Sequence, residues 1–191
     1  HPDGKPYWLG TNSQDVTNYV VENHIEALNK LKNDKDKAAR DILRIPTMPQ
    51  FRTTRHIDGN YTLKEADTYR HFDDSVGAIC DFDRRGFLYE IPFGTLVSDG
   101  FGNIIKAGRS AAGEGYAWDV LRVIPPAIIS GQAAGVACAL AIDEKKPVYG
   151  TDIKMLQKTL TAQNVMIHFD DGLVPKAGEE STVQESNMEH F

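Results

Sequence analysis

Cysteine is scarce: Cys80 and Cys138 are the two thiols in 191 residues. Two thiols exclude a disulfide-dense scaffold and a four-cysteine zinc site, and the plain expectation is a pair of free, buried thiols. A run of one charge is also missing. There are 21 basic and 27 acidic residues, a net charge of −6 and a pI near 5.5. This excludes binding to nucleic acid through bulk positive charge, so no nucleic-acid partner is expected. The six histidines show no short metal-ligand spacing such as His-x-x-x-His. His71, close to Asp73 and Asp74, reads as part of a solvated loop, so no metal site is expected. No charged-then-apolar leader opens the chain. Gly-x-Gly-x-x-Gly is absent, and Gly108-x-x-x-x-Gly113 is followed by Glu114 and Gly115 where a P-loop needs Lys and Ser or Thr. Ser98, Ser110 and Ser130 lack a nucleophile-elbow context, and no spacing licenses a catalytic base.

What remains is the composition of a globular chain, 41% hydrophobic and 25% charged. The length suits one domain or one and a half, burying roughly two-thirds of the unfolded chain's surface. Residues 123–142 are apolar enough to resemble a membrane span and carry Gly131-x-x-x-Gly135, a helix-packing pattern. Pro125 and Pro126 near the start, an Ala/Gly-rich body and the mixed flank 143–146 favour a helix inside a soluble protein. No membrane partner is expected, and the compartment is left open between cytoplasm and periplasm.

Local patterns predict an amphipathic helix over residues 11–33. It is capped from Thr11 or Asn12, with Val21, Ile25, Leu28 and Leu31 at helical spacing. A short second helix is expected to run to Ile45, ended by Pro46 and Pro49. Residues 52–57 read as a strand. Thr62-x-x-Glu65 reads as a capping box. Residues 76–82 and 88–97 read as strands joined by a turn at 83–86, the second interrupted at Pro92. A short strand at 103–108, a glycine-bearing loop to about Tyr116, a long Ala/Gly helix over about 125–143, a helix from Thr151 or Asp152 to Ala162 and a last strand at 165–169 follow. The expected fold class is α+β: a mixed sheet with N-terminal helices, plus a partial Rossmann-like strand–loop–helix unit.

That strand–loop–helix unit carries the chemistry. Small residues let a helix lie close on a sheet, and Ala127, Gly131 and Gly135 form a stripe at i, i+4 and i+8. The helix start would turn free N–H groups and its positive dipole end toward a ligand; tight packing without a ligand fits the same stripe. Arg109 and Arg122 bracket the loop and suit a phosphate, or ion pairs with Glu114 or Asp119. Arg52 and Arg55 would lie on opposite strand faces, one free to bind an anionic group bidentately, unless both are solvated.

Three linked runs then carry a resemblance. NIIKAGRS at 103–110, LRVIP at 121–125 and ISGQAAG at 129–135 resemble the C-terminal signature of FAD-dependent oxidoreductases. RTTRHIDGNYTLKEAD at 52–67 and LYEIPFGTLV at 88–97 are similar to upstream motifs of the same group. The resemblance covers about residues 50–145 and implies a flavoprotein of glutathione-reductase-like architecture with FAD as cofactor. It implies that residues 1–97 belong to a substrate domain and that 98–170 are the returning piece of an FAD-binding domain; the polar composition after Asp170 separately predicts a mobile tail at 171–191. It further implies cofactor contacts at Gly108, Arg109, Ser110, Arg122, Ile124, Pro125 and Gly131, with Arg52 and Arg55 orienting a small organic substrate. The chain departs from the pattern at Ser110, where a cysteine is common, in the 113–119 loop, and at Pro126, which removes a further helix-start N–H. The expected function is that of a C-terminal fragment, inactive by itself, of an enzyme moving a hydride or electron pair between substrate and flavin. Its partner would be a missing N-terminal FAD-binding half. The alternative is a free-standing ligand-binding or interaction domain without redox activity.

Overall fold

The computed structural model describes residue 4 and residues 6–45, 47–84 and 86–175. Of the tail expected at 171–191, residues 176–191 lie outside the described residues, as do the helix stop at Pro46 and the turn residue Arg85; Asp171–Leu173 form a 3-10 turn. The chain divides into two compact units, His1–Arg55 and His56–Phe191.

The first unit is built on α1, Ser13–Asn33. Of the two candidate caps Asn12 serves, its side-chain oxygen accepting the Asp15 N–H at 2.9 Å and so satisfying one of the first turn's unpaired donors. The helix has the expected apolar stripe, yet none of its residues is buried. The chain returns so that Phe51 packs its ring 4.8 Å from that of Tyr19. Gly10, at φ +68°, lies beneath Phe51, where a Cβ would fall 2.4 Å from the ring. Two expectations fail here. The second helix shrinks to a 3-10 turn, Lys37–Ala39, and residues 52–57 form no strand. The segment has no strand partner to exchange a ladder with, and β propensity without one does not hold a strand.

The second unit holds the core. Strands β1, Ser75–Cys80, and β2, Leu88–Pro92, pair antiparallel with Ala78 opposite Glu90 and Ile79 opposite Tyr89. Pro92 ends β2, as its missing N–H requires, and Phe93–Thr95 continue as a 3-10 turn. The mixed sheet is thus replaced, among the described residues, by this two-stranded antiparallel sheet, within an α+β arrangement. The strand expected at 103–108 is reduced to one bridge between Ile105 and Val97, because only this edge partner is at hand. Residues 165–169 likewise form no strand, although the Met166 carbonyl accepts the Ala78 N–H at 2.7 Å. Cys80, expected to be buried, is exposed, and Cys138 is half-buried.

Three helices pack on this frame: α2, Gly115–Leu121, α3, Ile124–Glu144, and α4, Ile153–Ala162, capped by Asp152. The short α2 falls where the sequence suggests a loop. In α3 the buried residues Pro126, Ser130, Ala133, Ala137 and Ala141 recur at helical spacing on one stripe. Gly77 makes room for this helix: a Cβ there would lie 2.3 Å from Ile129 Cγ2. Leu63, Val76, Tyr89, Ile91, Leu96, Val120, Leu156 and Leu160 complete the core.

Candidate functional site

The loop at 108–110 is held from two sides. Ser110 C=O accepts the Ile57 N–H at 2.9 Å, and Leu63 N–H donates to Ala112 C=O at 3.1 Å. This ties the loop to the segment that follows the first unit. Toward α3, Gly108 N–H donates to Ser130 Oγ at 2.9 Å, and that hydroxyl donates to Pro126 C=O at 2.6 Å. Gly108 adopts φ +65°, and a Cβ on it would sit 3.3 Å from Ala127 Cβ. Glycine is therefore required here by both backbone conformation and close approach. The loop and the first turn of α3 form one braced unit.

The residues expected to bind cofactor divide into two groups. Arg109 is exposed, and its side chain has no hydrogen-bond or ion-pair partner among the described residues. Its carbonyl is fixed by Trp118 Nε1–H at 2.9 Å, so the guanidinium projects from an anchored backbone. Ile124 opens α3 with Val123 as N-cap. Pro125 and Pro126 bring no N–H, and Ala127 N–H is already bonded to Val123 C=O at 3.2 Å. The helix start offers its dipole and the Ile124 N–H rather than a cradle of donors. Arg122 is taken up by Asp119, at 2.5 Å, one of the pairings that the sequence left open. The Gly108 N–H is spent on Ser130. Gly131 faces open space.

Arg52 and Arg55 belong to the first unit. Arg55 Nη2 donates to Thr11 C=O at 2.8 Å, and Arg52 Nη2 to Gln50 Oε1 at 3.1 Å. Arg52 lines a cavity of about 280 Å³ with Trp8, Tyr19, Glu22, Glu26 and Phe51. Since no strand forms, the two arginines are separated by irregular backbone rather than by strand alternation.

Sequence reasoning missed three polar clusters in the second unit. In the first, Asp67 accepts from Tyr61 Oη at 2.7 Å and from Arg70 Nη1 at 2.9 Å. Burial, then the neighbouring carboxylate, pushes the Tyr61 hydroxyl up to about 12. In the second, buried Asp81 accepts from Arg84 Nε at 3.0 Å and from Tyr116 Oη at 3.1 Å, while the Arg84 guanidinium lies 3.8 Å from the Tyr116 ring centre. Burial first, then Asp81, raises the Tyr116 hydroxyl above its ordinary value. Both clusters are closed networks that brace loops.

The third cluster centres on Glu90, fully buried on β2. Its Oε2 accepts the Phe72 N–H at 2.8 Å. Its Oε1 meets Nδ1 of His71 at 2.6 Å and Nδ1 of His168 at 2.9 Å. Nε2 of His71 meets Asp171 Oδ1 at 2.9 Å, and the ring stacks on Phe169 with centres 4.2 Å apart. The Asp171 hydrogen bond, then that of Glu90, raises the His71 pKa. His71 therefore belongs to this cluster rather than to a loop shared with Asp73 and Asp74. The signal in sequence was unreadable, since Glu90 stands 19 residues from His71 and 78 from His168.

The family described as FAD dependent oxidoreductase matches residues 11–160. The chain belongs to this family. The match takes in the braced loop, α2 and α3, and the hairpin that carries Glu90. Neither the curated proteins nor the solved structures searched gave a match.

Proposed function

We propose that this chain is the C-terminal part of an FAD-dependent oxidoreductase of glutathione-reductase-like architecture. Residues 98–170 return to finish the FAD-binding domain in Rossmann-like fashion, and residues 1–97 contribute to the substrate domain. The observation that carries this reading is the unburied face of α3. The helix is long and apolar enough to cross a membrane, yet it buries one stripe only. Ile124, Ile128 and Ile142 are 75%, 64% and 75% exposed, and Cβ atoms on Gly131 and Gly135 would meet nothing. An apolar face set with glycines suits close approach of a sheet, and the absent half of an FAD-binding domain supplies one. In this reading α3 meets protein rather than lipid.

Family membership supports a redox flavoprotein function, and the residues of the braced loop fit the cofactor in part. The unpartnered Arg109 guanidinium suits the pyrophosphate, with the Ser110 hydroxyl beside it. The start of α3, with Ile124 and Pro125, turns its positive end toward negative charge. Gly108 holds the loop on Ala127, Gly131 leaves room for close approach, and Arg122 positions α2 through Asp119. FAD, when bound, supplies acceptance or donation of a hydride or electron pair. Arg52 orients an anionic group of a small organic substrate in the first unit's cavity, and Arg55 anchors the backbone that carries it.

Visible absorbance before and after addition of FAD tests the reading. The 191-residue chain alone is expected to hold less than stoichiometric flavin. A longer chain that includes a Gly-x-Gly-x-x-Gly half is expected to hold one per chain, more weakly with Arg109→Ala. Full occupancy of the 191-residue chain alone overturns the fragment reading, and no uptake by the longer chain overturns the flavin reading. The aromatic-lined cavity of the first unit favours a second reading, a ligand-binding domain without redox activity, which the latter outcome would leave standing.

A further inference from the structure

The Glu90 cluster has the parts of a metal centre. One ligand atom from each of His71, Glu90 and His168 lies within 4.8 Å of the others, and Nδ1 of both histidines faces Glu90 Oε1. Two imidazole nitrogens and one carboxylate oxygen are a donor set suited to a divalent first-row transition ion. Tetrahedral ligands on zinc stand roughly 3.3 Å apart, given bonds of about 2.0–2.2 Å. The 2.6 and 2.9 Å contacts to Glu90 would lengthen slightly, and the two half-exposed imidazoles, whose ligand atoms lie within 4.8 Å of each other, are free to adjust toward that spacing.

The outer contacts strengthen this reading. A metal-binding histidine usually gives its other N–H to a carboxylate, which sets tautomer and ring orientation. His71 has that arrangement: Nδ1 faces Glu90, and Nε2 faces Asp171 at 2.9 Å. Phe169 stacks on the same ring. Glu90 is likewise oriented, because Phe72 N–H holds Oε2 and leaves Oε1 for an ion. The site opens on one side, with the His71 and His168 side chains 41% and 47% exposed, so water can complete the coordination.

We infer that His71, Glu90 and His168 bind one divalent transition-metal ion, with zinc preferred, and that Asp171 orients His71 for it. On binding, Nδ1 of each imidazole releases its proton to solvent, gives up its hydrogen bond to Glu90 and becomes a ligand. His71 keeps its Nε2 proton on Asp171, and His168 carries its proton on Nε2. Three protein ligands and an open position make this a labile or reactive centre rather than a closed structural one. It is independent of the flavin reading.

The test is calorimetric titration of the chelator-stripped 191-residue chain with Zn²⁺, alongside visible spectra with Co²⁺. One ion per chain with micromolar or tighter affinity is expected, with a Co²⁺ spectrum of low coordination number. His168→Gln, a half-exposed change, should abolish uptake while circular dichroism stays unchanged. Asp171→Asn, which leaves all three ligands in place, should weaken binding about 10–100-fold. His24→Gln should bind like the parent chain. Absence of uptake by the folded chain, or uptake that His168→Gln leaves unchanged, overturns the proposal and makes the cluster a hydrogen-bonded clasp only.

Discussion

The helices α1 and α3 are equally long, 21 residues each, yet they do opposite things. The first has large apolar residues at clean helical spacing and buries none of them. The second is rich in alanine and glycine, and buries five residues along one stripe. Periodicity thus marks a helix without telling how deeply it packs. Depth comes from how closely a neighbour can approach, and here small side chains on both surfaces decide it. Gly77 on β1 and Ala133 and Ala137 on α3 bring helix and hairpin together, while Val21 and Ile25 remain half-exposed.

The sharpest break of this contrast is a carboxylate placed on each helix. Ala137→Asp puts an unpaired charge into a fully buried position and should cost more than about 4 kcal/mol, enough to unfold the second unit. Val21→Asp on α1 should stay within about 0.5 kcal/mol. Urea unfolding followed by circular dichroism measures both, and equal effects would mean that α1 is as deeply packed as α3.

A paired glycine experiment comes next. Gly77→Ala forces a methyl onto Ile129 and should destabilise by about 1–3 kcal/mol. Gly131→Ala, on the open side of α3, should stabilise by about 0.5–1 kcal/mol through helix propensity. In a longer chain that supplies the proposed FAD-binding half, the second substitution should instead hinder assembly if a sheet lies on that face. Thermal melts of both variants in both chain lengths separate these outcomes. Smaller again is Asn12→Ala, which removes the α1 cap and should cost about 1 kcal/mol, read as lost helicity in the first unit.

The smallest expected effect is one of pH, in chelator-treated protein. Asp171 and Glu90 raise the folded-state pKa of His71, with His168 beside them on Glu90. A raised value means that folding binds a proton more tightly. The stabilisation is fully present below the ordinary histidine value near 6.5 and is lost as pH rises through the folded value. The melting temperature of the parent chain should therefore fall relative to that of His71→Gln between pH 6 and pH 8. Parallel curves would show that proton uptake by His71 adds nothing to stability.

Much of the local structure was legible. Caps before two apolar periods, at Thr11 or Asn12 and at Thr151 or Asp152, and Pro92 as an interruption in a strand each act within a few residues, so composition and spacing reveal them; the structure selects Asn12 and Asp152 and ends the strand at Pro92. The linked motifs at 103–135 identified the family for the same reason: they are contiguous runs. Other features were not legible. Residues 52–57 and 103–108 have the β-prone side chains of strands, but a strand also needs a neighbour to bond, and that neighbour is chosen by the fold. Arg122 had two candidate fates, and only the 2.5 Å approach of Asp119 chose between them.

The sequence by itself determined where α1, α3 and α4 start to within a residue or two, that Pro92 interrupts the second strand, that the loop before α3 carries glycine, and to which family the chain belongs. All of these follow from interactions within one turn or from unbroken motifs. Only the tertiary structure decided which face of α3 is buried, that the Arg109 side chain has no partner among the described residues, and that His71, Glu90 and His168 converge. The physical reason is range. Backbone propensity and capping act over three or four residues, whereas burial and the meeting of side chains depend on where the packed core carries segments far apart in the chain.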